Sequence, residues 1–238
     1  MGRAHEVRKQ SMEKTAAAKS ALYGRAAKEI YMAAKNGSTD PEANLALRSA
    51  MDKAKSKQVP ADVIQRAIKR AEGGDAESYT SNRYEGYGPG NSMIIVDSLT
   101  TNVNRAIAEI RDAFNKNGGK LANAGAVSHS FQSTSVFAFE NLGVEEVLEL
   151  LMETDADVQD VVEEDGLTVV YAAFQSFNSV KTALDKAGVT DYKMAETTML
   201  ADENMKIDDE ETKQKFEKLI DRLNELEDVQ DVYHNVED

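Results

Sequence analysis

Between residues 136 and 200 the apolar positions switch between strand and helix periodicity in a fixed order, and this switch limits the possible folds more than any other feature. The spacing predicts strand Val136 to Glu140, helix Val144 to Glu153, strand Val158 to Glu163, a turn at Asp165-Gly166, and strand Leu167 to Ala173. Helix Ser176 to Ala187 and strand Lys193 to Leu200 complete the series. The order is βαββαβ, the ferredoxin-like arrangement. Its four strands and two helices bury their apolar faces together as two layers.

The first 75 residues read differently. From Ser11 to Ala34 the chain is rich in Ala, and Leu22, Ala26, Ile30 and Ala33 recur at helical spacing up to a C-cap at Asn36-Gly37. Asp40-Pro41 is read as an N-cap followed by a first-turn proline, ahead of Leu47, Ala50, Met51 and Ala54. Pro60 opens a third helix whose face is Ile64, Ala67, Ile68 and Ala71, and Gly73-Gly74 stops it.

After Tyr79 the segment Tyr84 to Gly90 reads as turn chemistry, Ser92 to Leu99 as a buried strand, and Val103 to Phe114 as an amphipathic helix closed at Asn117-Gly118-Gly119. Ala126 to Phe131 reads as a further short strand. At the far end lie a helix with Phe216, Leu219, Ile220, Leu223 and Leu226 and a strand from Val229 to Val236. Asp208 and Glu211 fit a capping box at the start of that helix, and an EF-hand spacing is absent. The expected class is α/β, in the α+β sense. It has a helical domain over 1–76, a discontinuous α/β domain of 77–135 plus 206–238, and an inserted ferredoxin-like domain over 136–205.

Composition removes several kinds of chemistry. The 238 residues include no Cys, which excludes disulfides, thiolate nucleophiles and cysteine-ligated metals. His5, His129 and His234 lie in three separate segments, with no HExxH, and no GxSxG elbow occurs. Gly118-Gly119-Lys120 follows a helix, whereas a phosphate loop precedes one, and Gly86, Gly88 and Gly90 lack the strand and helix of a dinucleotide fingerprint. No catalytic residue, metal site or cofactor is expected, and neither an enzyme nor a small-molecule substrate. No stretch is long and apolar enough for a membrane span, so a cytoplasmic location is expected and no membrane partner.

The net charge of −14 is unevenly placed. Residues 1 to 75 carry 15 basic and 9 acidic side chains, and residues 136 to 238 carry 8 and 28. A polyanion would meet an attractive end and a repulsive end. Arg3, Arg8, Lys9, Lys14, Lys19, Arg25 and Lys28 crowd the first helix and its arm; Lys53, Lys55, Lys57, Arg66, Lys69 and Arg70 follow in the same segment. Lys and Arg on thin Ala-rich helices approach phosphates closely and need no catalytic geometry. Tyr84, Tyr87, Asn102, Asn104 and Arg105 add candidate stacking and polar contacts. Nothing matches a helix-turn-helix recognition helix by pattern.

Several stretches together resemble the YebC/PmpR family, whose mitochondrial relative is the translational activator of cytochrome c oxidase. They are Glu29 to Lys35, Asp40-Pro41 with Asn44, Ala50 to Lys55, Pro60 to Lys69, Tyr84 to Pro89, Asn102 to Glu109, Phe114 to Gly119 and Gly125 to Phe131. They cover residues 25 to 131 densely and continue more weakly to Val232-Tyr233-His234-Asn235. The Met-Gly-Arg start and the length resemble the shorter, second branch. The resemblance implies three domains and a cytoplasmic regulator of gene expression that binds DNA in transcription. The alternative it implies is a translation factor on ribosomal or transfer RNA that relieves stalling at proline-rich stretches. A monomer is expected.

Overall fold

The computed structural model describes residues 16–73 and 78–237. In chain order the first elements are helices α1 (Ala16–Lys35), α2 (Leu45–Ser56) and α3 (Ala61–Glu72), strands β1 (Thr80–Tyr87) and β2 (Met93–Thr100), helix α4 (Val103–Lys116) and strand β3 (Lys120–Leu121). Then come β4 (Phe131–Phe139), α5 (Val144–Met152), β5 (Val158–Glu164), β6 (Leu167–Ala173), α6 (Phe177–Lys186), β7 (Met194–Ala201), α7 (Glu210–Glu225) and β8 (Val229–His234). Residues 132–200 form one compact unit, and the described part of 14–131 with 201–237 forms another. The helical segment and the first sheet therefore share a unit.

Helices α1 to α3 close on Ile30, Tyr31, Ala34, Leu47, Ala50, Ala54, Ile64, Ala67, Ile68 and Ala71, all buried. Alanine at half of these positions lets the helices approach closely, so small volume changes are felt. The start of α2 differs from the Asp40-Pro41 reading. Asp40 instead accepts from Glu42 N in a turn, and Asn44 caps the helix by accepting from Leu47 N at 3.1 Å. The Asn44 amide also donates to Ala33 O at 2.9 Å and Ser38 O at 2.7 Å. One buried side chain thus satisfies groups at the end of α1 and the start of α2, which the exposed Asp40 does not reach. The expected helix from Ser11 begins outside the described residues.

The first sheet has the order β3-β1-β2-β8, with the pairs β1–β2, β1–β3 and β2–β8 antiparallel. Helices α4 and α7 cover one face through Ile110, Phe114, Phe216, Leu219 and Leu223, which meet Ile94, Val96, Val229 and Val232. Three further local readings differ from the structure around this sheet. Residues 84–87 belong to β1 and are not turn residues, because Gly86 lets Phe114 and β3 lie against the strand. A Cβ there would sit 2.7 Å from the Phe114 ring and 2.8 Å from Lys120 O.

Ala126 to Ser130 is not a strand: the amides of Gly125, Val127 and Ser128 donate to the Glu85 carboxylate at 2.8, 2.8 and 2.9 Å, which withdraws them from any ladder. Asp209 rather than Asp208 caps α7, accepting from Thr212 N at 2.8 Å and Thr212 Oγ1 at 2.6 Å. Glu211 then pairs with Lys215 at 2.6 Å and not with a capping amide.

The second sheet has the order β5-β6-β4-β7, the ferredoxin-like order for its βαββαβ sequence. Phe137, Phe139, Val161, Val170 and Ala172 pack against Val147 and Leu151 of α5 and Val180 and Leu184 of α6. Phe137 stacks on Phe177 with ring centroids 4.9 Å apart.

Candidate nucleic-acid interface

On α1 the side chains Arg25 and Lys28 stand three residues apart and therefore share a helix face. That face turns inward. Arg25 is 7% exposed and Lys28 is 9% exposed. The Lys28 ammonium donates to Glu227 O at 2.7 Å and lies 3.6 Å from Asp228 Oδ1. Arg25 donates to Gln230 O and to Asn224 Oδ1, both at 3.3 Å. Burial lowers the Arg25 pKa, and the charge of Asp231 opposes the shift.

Asp228, 2% exposed, is also gripped by Arg105, whose Nε donates at 2.9 Å and whose Nη2 donates at 2.7 Å. Asn102 places Arg105 by capping α4, its side-chain oxygen accepting from Arg105 N at 3.1 Å. Lys53 lies 3.7 Å from Asp231 and 3.4 Å from Glu29. Burial alone would raise the pKa of Asp231. The charges of Lys53, Lys57 and Arg25 outweigh it and hold the carboxyl below its ordinary value.

Asp228 and Asp231, in the acidic C-terminal segment, therefore draw on five of the cations expected to meet phosphate: Arg25, Lys28, Lys53, Lys57 and Arg105. Of these, Arg25 and Lys28 are buried, Lys53 and Lys57 are half-buried, and the Arg105 side chain remains 45% exposed. No local pattern in the sequence marks these two acids, because their partners lie far off in the chain.

The outward set is different. Lys19, Lys55, Arg66, Lys69 and Arg70 are exposed on the three helices, as is Lys35, which the sequence reading did not single out. Arg66 pairs with Asp62 at 2.6 Å and Lys55 with Asp52 at 3.4 Å, both exposed pairs of small energetic weight. The Arg70 guanidinium lies 5.4 Å from the Tyr31 ring centroid. Four residues, 57–60, join α2 to α3, a connection of helix-turn-helix length. Helix α3 turns Gln65, Arg66, Lys69 and Arg70 outward.

Arg3, Arg8, Lys9 and Lys14 lie outside the described residues. Tyr84 is half-buried against the core of the first sheet, and Asn104 is exposed. Tyr87 is 41% exposed, and its hydroxyl donates to Ala126 O at 3.1 Å. Lys120 pairs with Tyr87 across the β1–β3 ladder, so the two side chains share a sheet face.

Residues 3–74 match the model of the TACO1/YebC protein N-terminal domain, and residues 79–236 match that of the TACO1/YebC second and third domain. The chain belongs to the TACO1/YebC family. Two relatives within it are named probable transcriptional regulatory proteins. Mfl546 of Mesoplasma florum is 58% identical over 236 residues, covering 99% of each chain. The Mycoplasma capricolum protein is 56% identical over 238 residues, covering all of both. The crystal structure of the conserved hypothetical protein Aq1575 from Aquifex aeolicus superposes with a TM-score of 0.78 at 35% identity, covering 94% of this chain and 92% of that one. The TACO1/YebC fold is thus present here with its helical start and two sheets. No helix among the described residues is long and apolar enough to cross a membrane.

Proposed function

We propose that this chain is a cytoplasmic, monomeric, non-enzymatic regulator of transcription that holds duplex DNA through the outward cations of its first 76 residues. The observation that carries the reading is the division of the basic residues into two sets. One set is spent on Asp228 and Asp231, and Lys19, Lys35, Lys55, Arg66, Lys69 and Arg70 remain on the surface of the three helices. Exposed cations on a short-connected helix pair suit phosphate contacts, which position a protein on a duplex without reading its sequence. The names of the two relatives support the same reading.

A second reading, binding to ribosomal or transfer RNA in translation, is favoured by Tyr87. Its exposed ring beside Lys120 offers a surface for an unpaired base. Titrating sodium chloride against a labelled duplex and a labelled folded RNA separates the readings. The first expects tighter duplex binding whose log affinity falls by about 0.9 per phosphate engaged for each unit of log salt. Preference for the RNA, abolished in Tyr87→Ala, would favour the second, and binding to neither overturns both.

A further inference from the structure

The unit of residues 132–200 carries 14 acidic and 3 basic side chains, and no Lys or Arg occurs between Lys120 and Lys181. Its helix α5 buries Val147 and Leu151 and turns Leu148 and Met152 outward, one helical turn apart, at 41% and 83% exposure. Phe174, 50% exposed, lies between β6 and α6. The loop leaving α5 is tied to the residues around Phe174, because Ala173 N donates to Asp157 O at 2.8 Å and Asp157 N donates to Ser176 Oγ at 2.9 Å. The end of α5 and Phe174 therefore belong to one end of the unit. Glu145, Glu149, Glu153, Asp155 and Asp157 are exposed around them.

Leu148 and Met152 on adjacent turns of α5, with Phe174 at the end of the unit where α5 finishes, leave large apolar side chains exposed, and such exposed apolar surface marks a contact surface. Their acidic surroundings decide what fits. Nucleic acid is repelled, and a symmetric contact with a second copy would set the same acids against each other. A segment with apolar anchors flanked by Lys and Arg buries the three side chains and neutralises the rim, and methionine adapts its shape to such a partner. We infer that Leu148, Met152 and Phe174 form a docking surface for a basic, amphipathic helix of another protein.

The test is fluorescence anisotropy with the whole chain and a labelled helical peptide built of Leu and Lys, alongside a matched peptide with Glu in place of Lys. Saturable binding of the Lys peptide alone is expected. It should weaken about tenfold in Leu148→Ser/Met152→Ser and by a similar factor in Glu149→Lys/Glu153→Lys. All four positions are exposed, and circular dichroism checks that both variants stay folded. Absence of saturable binding overturns the inference, as does equal binding of the Glu peptide or equal affinity in folded variants. Self-association of the unaltered chain that Leu148→Ser/Met152→Ser abolishes would assign the surface to a second copy and overturn it too.

Discussion

The Lys28 ammonium lies 3.6 Å from a carboxylate oxygen of Asp228, and both side chains are almost wholly buried. The pair fastens α1 to the turn before β8, and Arg105 holds the same carboxylate from α4. A buried ion pair adds little over a well-packed apolar pair, yet removing one partner strands the other's charge. Asp228→Ala is therefore expected to destabilise the chain by about 3–5 kcal/mol, measured as a shift in urea midpoint. Lys28→Met/Asp228→Leu should recover part of that loss. Equal stability of the single variant and the unaltered chain would contradict the assignment.

Glu85 acts in a different way. Burial raises its proton affinity, and the three backbone donors from Gly125, Val127 and Ser128 more than reverse this, leaving the pKa below the ordinary glutamate value. Its contribution is thus present above the ordinary value and is lost as pH falls through the lowered one. Glu85→Gln should cost about 1–3 kcal/mol at neutral pH and flatten the acid limb below about pH 4.3 in urea titrations at a series of pH values.

His234 titrates in a higher window. It packs edge-on against Phe216 with ring centroids 5.0 Å apart, and burial pushes its pKa down to about 4, against which a hydrogen bond with the Val236 backbone acts. The folded chain holds it neutral while the unfolded chain takes up a proton below about pH 6.5. Stability should fall between that pH and about 4, by up to about 3 kcal/mol, and His234→Gln should remove the slope. Thermal unfolding at a series of pH values reads it directly.

Gly86→Ala places a methyl group within 2.7 Å of the Phe114 ring and 2.8 Å of a backbone oxygen of β3. A loss of about 1–3 kcal/mol in chemical denaturation is expected, as for other overpacked sites.

What the sequence made legible follows from where each signal acts. Leu167 to Ala173 is seen at the bounds its apolar run predicts, and Asp165-Gly166 makes the turn with φ of 52° and 74°. Ile64, Ala67, Ile68 and Ala71 are all buried, as their spacing requires. These are local patterns. Two of the readings that failed depended on partners remote in sequence, whereas the cap of α7 moved by one residue on a local contact of Asp209 with Thr212. Gly86 is read as a turn residue until Phe114 is seen packed upon it, and the amides after Gly125 are read as a strand until Glu85 is seen to take them. Asn44 caps α2 because Ala33 and Ser38 also need its amide. The same limit applies to the basic residues. Arg25 and Arg66 look alike in sequence, and only the position of Asn224, Gln230 and Asp231 makes one internal and the other external.

The proposed function rests on the outward cations of the three helices, among which Arg66 and Lys69 stand on α3, so the most direct measurement is duplex affinity of Arg66→Glu/Lys69→Glu across a salt series. Both residues are exposed, and the variant should keep its thermal midpoint. Much weaker binding is expected, with a salt slope shallower by about 0.9 for each phosphate that the variant no longer engages. Unchanged affinity and slope in the folded variant would contradict the proposal.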